Sequence, residues 1–350
     1  MVIVDILVFI LILGALVFVH EGGHFIAARL SGVKVEEFGL GIPPRLFAIK
    51  RGETEYSINA IPIGGFCKLL GEEDPSAPRS LASKSAGKRL FVLGAGPLMN
   101  AVLPLILLTI ALMIPRSVIA GDVLVENVAP NSPAAEAGIV QGDIIISIND
   151  QSIQNSGDLI YQTYLSLGDS TTLGIEEPDG NIKTVTLVPR LDPPEGEGAM
   201  GVQLNMINTY EISESDPFWK AVPKSATELW QTLELYRNVI RKWAAGGGAP
   251  EIRGPVGILQ FQVEGQVTES GLSYILRFAA VISISLAIMN LLPIPALDGS
   301  RMFFVLLEVV RRGKRVSPGT EARIHAVGFA LLITLMLVVT YLDIIRWVRD

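Results

Sequence analysis

Four apolar segments constrain the fold of this 350-residue chain more than any other feature. A membrane-spanning helix needs about 20 mainly apolar residues, and the segments 3–30, 90–114, 272–292 and 324–347 meet that requirement. Only 18% of the residues are charged, whereas soluble domains average about 25%. The sequence therefore predicts a polytopic α-helical membrane protein. No basic residue precedes the first segment, so we expect a retained helix and not a cleaved signal peptide.

Charged residues between these segments predict how the chain crosses the membrane. Connection 29–89 holds 10 basic and 7 acidic residues, whereas 116–271 holds 9 basic and 21 acidic residues. Arginines also cluster in the short connection 301–323. Because Lys and Arg beside membrane helices favour the cytoplasm, we expect the first and third connections inside the cell. The long acidic connection and both termini then face outside. Without a basic block, the chain is not expected to bind nucleic acid.

The first apolar segment contains the motif His20-Glu21-Gly22-Gly23-His24. Residues four apart share one face of a helix, so both histidines can offer a nitrogen to one metal ion, with Glu21 beside it to accept a proton from water. Ionisable residues inside a membrane helix are unfavourable and usually functional. The motif therefore predicts a metal site. The alternative is a pair of histidines that hydrogen-bond inside a helix bundle.

A catalytic zinc ion needs about three protein ligands and one open position, so one ligand is missing from this motif. Asp5 and Asp343 lie near the outer ends of their helices, and Glu321 and His325 border the cytoplasmic connection. Asp298 lies at the same end as the two histidines, where two prolines and a glycine interrupt the third segment. Broken helices at membrane depth occur where they line a site, so Asp298 is the expected ligand. Its alternative role is an N-cap for the next helix.

The first connection contains a predicted β-hairpin. Runs 46–50 and 55–63 are strand-like, and Arg51-Gly52-Glu53 is typical of a turn. The following Gly64 and Gly65 would let another backbone approach closely. An exposed strand edge there could bind an extended peptide through main-chain hydrogen bonds. The alternative is a hairpin that serves only for packing.

Asn100 is a polar residue inside the second apolar segment, which contains the small residues Gly94-Ala95-Gly96-Pro97. Small residues let membrane helices pack closely, and polar side chains hydrogen-bond between them. We expect Asn100 to bond either to the candidate site, where it is a candidate substrate-binding residue, or to a neighbouring helix, with packing alone as the alternative.

The acidic connection resembles a bacterial PDZ domain in the string SPAAEAGIVQGDIIISIN at 132–149. The resemblance covers 121–190, with a groove helix at 159–166 and paired strands at 171–175 and 183–188. Such domains bind extended peptides by strand addition and often capture a terminal carboxylate. The alternative is a domain that only excludes bulky substrates.

The expected domain order places the PDZ domain between two membrane parts. These parts are 1–120, with two helices and the hairpin, and 272–350, with the other two helices. Region 191–271 holds a linker and an amphipathic helix at 217–245 that carries three of the four tryptophans. This helix is expected either on the bilayer surface, which Trp favours, or packed between domains.

Five strings occur in the order seen in site-2 proteases, the intramembrane zinc metalloproteases of peptidase family M50: HEGGH, PIGGFCKLLGE, GPLMN, the PDZ-like string and NLLPIPALDG. The sequence most resembles the bacterial group of the regulator-of-sigma-E protease type, which cleaves membrane-bound anti-sigma factors. The resemblance implies that one Zn²⁺ is held by His20, His24 and Asp298, with Glu21 as the general base. It also implies substrate contacts by residues of the third segment and of the hairpin, namely Asn290, Gly64, Gly65 and Phe66.

The function implied by this resemblance is zinc-dependent cleavage of single-span transmembrane proteins or peptides, such as anti-sigma-like regulators and signal-peptide remnants. The expected location is a bacterial inner membrane, with the PDZ domain outside and the active site near the cytoplasmic side. One alternative is a membrane scaffold or chaperone that binds chain ends through the PDZ domain. A metal transporter is disfavoured, because no ladder of ligands runs through the other helices.

Overall fold

The computed structural model describes residues 2–72, 74–194, 196–246 and 253–349. The chain forms two compact units, Met1–Ala111 with Ile252–Asp350, and Leu112–Glu251. In chain order, the elements are α1 (Val2–Leu30), β1 (Val35–Arg51), β2 (Thr54–Leu69), α2 (Ala86–Met113), β3 (Arg116–Val128), α3 (Pro133–Glu136), β4 (Ile144–Ile148), β5 (Gln151–Ser152), α4 (Ser156–Leu165), β6 (Thr171–Glu176), β7 (Ile182–Leu187), β8 (Val202–Glu214), α5 (Phe218–Ala244), α6 (Pro255–Glu264), α7 (Leu272–Leu291), α8 (Asp298–Val310) and α9 (Pro318–Arg349).

Four helices among the described residues are long and apolar enough to cross a membrane, namely α1, α2, α7 and α9. They confirm the four predicted membrane helices. The last helix begins before the predicted residue 324, at Pro318, because proline is well suited to the first position of a helix. Apolar side chains of α1 and α7, including Phe9, Leu16 and Phe278, pack in one buried cluster.

The predicted hairpin is confirmed, and it is longer than expected. Strands β1 and β2 bend and pair with each other more than once. Segment 37–40 pairs with 55–58 on one side and with 65–68 on the other, while 45–51 pairs with 54–59. The segment at 65–69 is therefore an edge, with no partner strand on its other side among the described residues. Two backbone N–H groups of this edge bond to carboxylates, that of Cys67 to Glu21 and that of Leu69 to Glu72. A strand added to this edge would have to replace those bonds.

The short helix α6 is held by a buried aspartate of α9. Asp343 Oδ2 accepts hydrogen bonds from the backbone N–H of Gly254, at 2.9 Å, and of Gly257, at 2.8 Å. The first N–H groups of a helix lack partners within the helix. For α6 the partner is Asp343, a residue that is distant in the sequence. Asp343 is 1% exposed. It therefore has a structural role at the N-terminus of α6, which agrees with its exclusion as a metal ligand.

The second unit is built on a six-stranded antiparallel sheet of order β7-β6-β4-β3-β8, with β5 paired to β4. The predicted strands at 171–175 and 183–188 pair as β6 and β7, and a helix predicted at 159–166 is present as α4. Strand β8 joins the sheet from the region predicted as linker and helix. It was not anticipated, although Val202, Leu204 and Met206 alternate with polar residues in the pattern typical of a strand.

Helix α5 forms where the amphipathic helix was predicted, and it docks on α4 within this unit. Asn238, which is 2% exposed, donates to the carbonyls of Tyr164 at 3.0 Å and Leu165 at 2.9 Å. Arg241 forms an ion pair with Asp169 at 3.1 Å. Several large apolar side chains of α5 remain exposed, namely Phe218, Trp219, Trp230, Ile240 and Trp243.

Candidate metal centre

His20 and His24 lie on one face of α1, as their spacing predicts. Their Nε2 atoms are 3.3 Å apart, and the two residues are 8% and 7% exposed. Both therefore present a ring nitrogen to the same buried point inside a helix long and apolar enough to cross a membrane.

Asp298, the first residue of α8, reaches the same point from a distant part of the chain. Its Oδ2 lies 3.0 Å from His20 Nε2 and 3.3 Å from His24 Nε2. These three residues are the one group of His, Cys, Asp or Glu side chains with metal-ligand spacing among the described residues. The alternative role predicted for Asp298, a side-chain N-cap of α8, is not observed, because Leu297 is the residue at the N-cap position.

The arrangement of lone pairs favours a cation at this point. His24 Nδ1 lies 2.8 Å from the carbonyl oxygen of Val92, and only a protonated Nδ1 can donate to that oxygen. A neutral ring then has its lone pair on Nε2, directed at another acceptor, the Asp298 carboxylate. Tetrahedral zinc with ligands at about 2.0–2.1 Å needs ligand atoms about 3.3 Å apart. The observed separations of 3.0, 3.3 and 3.3 Å fit that requirement.

Asn100 supports the first histidine from α2. Its side-chain amide lies 3.3 Å from His20 Nδ1, and Asn100 is 1% exposed. If Nε2 of His20 is free to bind a metal, Nδ1 carries the proton, so the amide oxygen of Asn100 must face it. That orientation also gives a partner to the oxygen, which otherwise has none. The structure therefore places Asn100 against His20, one of the candidate ligands.

Gly96 of α2 keeps the space between the two histidines open. A Cβ atom at this position would overlap His24 Nε2 and lie 2.8 Å from His20 Nε2. Gly23 of α1 packs in the same way against the backbone of Ala95. The sequence indicated Gly96 only as one of several small packing residues, and its closeness to the two histidines in the folded chain became visible only in the structure.

The hairpin edge lies beside Glu21. A Cβ atom at Gly65 would lie 3.0 Å from Val17 Cγ1 and 3.4 Å from Glu21 Cγ, so this part of β2 packs directly on α1. Neighbouring Gly64 has φ +101°, a conformation that side chains rarely adopt. Phe66 is half-buried and packs over Gly39. Gly65 therefore lies next to the candidate catalytic carboxylate, with Gly64 and Phe66 on either side of it in the strand.

Asn290 lies near the end of α7, half-buried. Its Nδ2 donates to the carbonyl of Leu286 in the same helix at 3.0 Å. This hydrogen bond orients the side chain and leaves its amide oxygen as a possible acceptor.

Cys67 follows these hairpin residues and is the one cysteine of the chain. Burial raises the pKa of its thiol, and the nearby Glu21 carboxylate raises it further. The nucleophilic form of cysteine is the thiolate, so this thiol is unsuited to nucleophilic catalysis.

His325 is a site-related residue that sequence analysis placed only at the membrane border. Its Nδ1 lies 3.0 Å from the backbone nitrogen of Ala296, in the loop that leads to Asp298. The signal in the sequence was a histidine within the fourth membrane helix. Its hydrogen-bond partner, Ala296, could not be predicted because it lies in another part of the chain.

Comparisons with known proteins agree with this geometry. Residues 8–335 match peptidase family M50. A Clostridium acetobutylicum protein named "Putative zinc metalloprotease" is 36% identical over 97% of both chains. "Zinc metalloprotease RasP" of Geobacillus kaustophilus is 29% identical over 97% of both chains. "Regulator of sigma-W protease RasP" of Bacillus subtilis is 27% identical over 97% of this chain and 98% of that protein.

Proposed function

The chain belongs to peptidase family M50 and is a zinc metalloprotease of the membrane, and from this premise we propose that it cleaves single-span transmembrane proteins within the bilayer. Its proposed substrates are anti-sigma-factor-like regulators, in keeping with the name of the Bacillus subtilis relative, and signal-peptide remnants. The observation that carries the proposal is the position of His20 and His24 inside an apolar helix of membrane length, with Asp298 against them.

The proposed zinc ligands are His20, His24 and Asp298. When bound, zinc polarises a substrate carbonyl and lowers the pKa of water towards about 7. Glu21, one residue after the first ligand, accepts a proton from the attacking water and can return it to the leaving amine. Val92 and Asn100 hold the two imidazoles in the orientation that this requires.

The proposed substrate-binding surface is the hairpin edge at 65–69. A transmembrane helix hides its carbonyl groups in its own hydrogen bonds, so the substrate must unwind before cleavage. An unwound segment can add to this edge as a strand, beside Glu21, because Gly65 packs on that residue. Gly64, Phe66 and Asn290 are proposed to contact the substrate there.

The test of this function compares the wild type with Glu21→Gln after co-expression with a single-span anti-sigma-like protein that carries tags on both ends. We expect the wild type to release a fragment cut within the span and E21Q to release none. Zinc content measured on both purified proteins serves as the control, because E21Q keeps all three proposed ligands. Cleavage by zinc-loaded E21Q, or fragments cut only outside the span, would contradict the proposal.

We also propose that the hairpin side faces the cytoplasm and the second unit faces outside a bacterial plasma membrane. The charge distribution along the sequence supports this orientation. Cys67→Ser supplies a cysteine-free background, in which Glu136→Cys and Lys314→Cys are compared. A membrane-impermeant maleimide should label the E136C variant in intact cells, and the K314C variant only after lysis. The reverse pattern would invert the topology.

The second unit is proposed to be a PDZ domain that binds the exposed chain ends of trimmed substrates. Strand β8 is at one end of the sheet order, and α4 lies beside it, with the backbone nitrogen of Ser156 3.3 Å from Met206 Sδ. A peptide can therefore add to β8 beneath α4. The full-length protein should bind a peptide with a free C-terminal carboxylate more tightly than its amidated copy, as measured by fluorescence anisotropy. Equal binding would favour a domain that only excludes bulky substrates.

A further inference from the structure

The loop 292–297 decides where Asp298 points, because it connects the end of α7 to the first residue of α8. Within this loop, Ala296 has φ +78°. A residue with a Cβ atom is unfavourable in this region and persists there only when its surroundings enforce the conformation. Some contact of the folded protein must therefore hold Ala296.

Part of the constraint comes from inside the loop. Ile294 N donates to the carbonyl of Leu292 at 2.7 Å, and Leu297 N donates to that of Ile294 at 3.1 Å. Gly299 follows the loop so closely that a Cβ atom there would lie 2.5 Å from the carbonyl carbon of Leu291. These contacts define the turn on either side of Ala296, but they leave the amide of Ala296 itself to find another partner.

That partner is His325 of α9, whose Nδ1 accepts the hydrogen bond from Ala296 N at 3.0 Å. One turn later on the same helix, a Cβ atom at Gly328 would overlap Pro295 and lie 3.0 Å from its carbonyl oxygen. Helix α9 therefore contacts the loop through a hydrogen bond and a close glycine packing contact, with no room for an intervening side chain.

The imidazole is itself held in place. Its ring packs edge-on against Phe304 of α8, with ring centroids 5.7 Å apart, and its side chain is 13% exposed. Ser300 Oγ donates to the carbonyl of Leu297 and lies 3.5 Å from the same Nδ1. Because Nδ1 accepts from an amide, the proton of the neutral ring is on Nε2.

We propose that His325 is a positioning residue for the metal centre. Its Nδ1 holds Ala296 in the left-handed conformation, and the loop then presents the carboxylate of Asp298 to His20 and His24. This inference rests on the proposed assignment of Asp298 as a zinc ligand. It goes beyond that assignment by giving a residue of the fourth membrane helix control over zinc affinity.

A pair of amide substitutions separates hydrogen bonding from space filling. The Oδ1 atom of Asn is bonded to Cγ, as Nδ1 of histidine is, so His325→Asn keeps an acceptor near Ala296. Gln is closer to histidine in volume, but its oxygen lies one atom further out. We expect H325N to keep near-wild-type zinc affinity and H325Q to bind zinc about 10- to 100-fold more weakly, the range typical of outer-shell substitutions. The measurement is competition with a chromogenic chelator, using purified full-length protein in detergent.

Glycine at the strained position provides a second test. Glycine adopts positive φ without a steric penalty, so Ala296→Gly lowers the need for the histidine. We expect A296G/H325Q to recover part of the zinc affinity that H325Q loses, and this double variant also supplies the measurement if H325Q does not fold. No recovery, or a greater loss in H325N than in H325Q, would overturn the inference.

Two further variants separate this inference from the assignment on which it rests. Val339→Ala removes a buried side chain of the same helix away from the loop, so it should lower the melting temperature without changing zinc affinity. Asp298→Ala should lose zinc binding. Wild-type zinc affinity in D298A would refute the ligand assignment itself. Loss in D298A with none in H325Q would refute only the positioning role.

Discussion

Gly96 shows how a residue without a side chain can decide whether a metal site forms. Its Cα faces the two histidines so closely that any Cβ would occupy the space near their Nε2 atoms. A backbone position of this kind does not tolerate even a methyl group, because the atoms it would meet belong to rings held by hydrogen bonds to Val92 and Asn100.

We therefore predict that Gly96→Ala abolishes zinc binding and proteolysis. The matched control is Gly94→Ala in the same helix, where the new Cβ would be in ordinary contact, 3.5 Å from Met302 Cε. Since Ala favours helices by about 1 kcal/mol over Gly, G94A should keep its zinc and its stability. Zinc content per purified protein is the measurement, and equal zinc in both variants would contradict the prediction.

At the scale of elements, α6 depends on one carboxylate of α9. Asp343 satisfies two backbone N–H groups that α6 cannot pair internally. A buried donor left without a partner destabilises the fold by about 1–3 kcal/mol. The junction of these two helices is thus maintained by a polar contact within an otherwise apolar unit.

Asp343→Ala should lower the melting temperature of the detergent-solubilised protein more than Asp343→Asn does, because the Asn oxygen can take the place of Oδ2, the one atom that accepts both bonds. Hydrogen exchange should increase first at the N-terminus of α6. Zinc affinity should remain unchanged in both variants. An equal loss of stability in D343A and D343N would show that the amide groups of α6 do not depend on this acceptor.

Helices α2 and α8 are joined by Arg89 and Glu308, at 2.7 Å with side chains 11% and 13% exposed. Arg315 lies 3.0 Å from the other carboxylate oxygen. Burial opposes ionisation of Glu308, but the hydrogen bonds and charges of the two guanidinium groups outweigh it and lower its pKa. A carboxylate with a lowered pKa stabilises the fold above its usual pKa of about 4.3. That contribution is lost as the pH falls through the lowered value.

The stability difference between the wild type and Glu308→Gln should therefore be largest near neutral pH and should shrink as the pH falls below about 4. Melting temperatures between pH 7 and pH 3 provide the measurement. Glu53→Gln is the control, since the Glu53–Arg79 pair also lowers a carboxyl pKa but is exposed and should contribute little. A pH-independent difference for E308Q would contradict this account.

For the whole molecule, the proposed zinc site connects the first and third apolar regions of the sequence. The ion would join α1 to the start of α8. His24 and Asp298, one ligand from each helix, are 274 positions apart in the sequence. A ligand that binds only the folded state stabilises it in proportion to the logarithm of its concentration over the dissociation constant. Zinc should thus contribute to stability as well as to catalysis.

Removal of zinc with a chelator should abolish proteolysis and lower the melting temperature, and added Zn²⁺ should restore both. E21Q should show the same zinc-dependent shift without activity, whereas D298A should show no shift. The comparison of these two variants separates the structural effect of the ion from its catalytic effect. A zinc-dependent shift that persists in D298A would remove that residue from the ligand set.

Several features of this protein follow from the sequence alone. The four membrane helices depend on runs of apolar residues, the hairpin on strand-like runs around a glycine turn, and the pairing of His20 with His24 on the period of one helix. The selection of Asp298 depended on charge distribution and on the proline interruption. Each of these signals is local or is a simple property of topology.

Only the tertiary structure decided which distant residues meet. It placed Asp298 3.0 Å from His20, turned Asn100 towards that histidine, joined β8 to the sheet, and set His325 against the loop that carries Asp298. These contacts depend on how helices and strands pack against one another to within a fraction of an ångström. A periodic pattern specifies which face of a helix is buried, but it does not specify which residue of another helix will lie against that face.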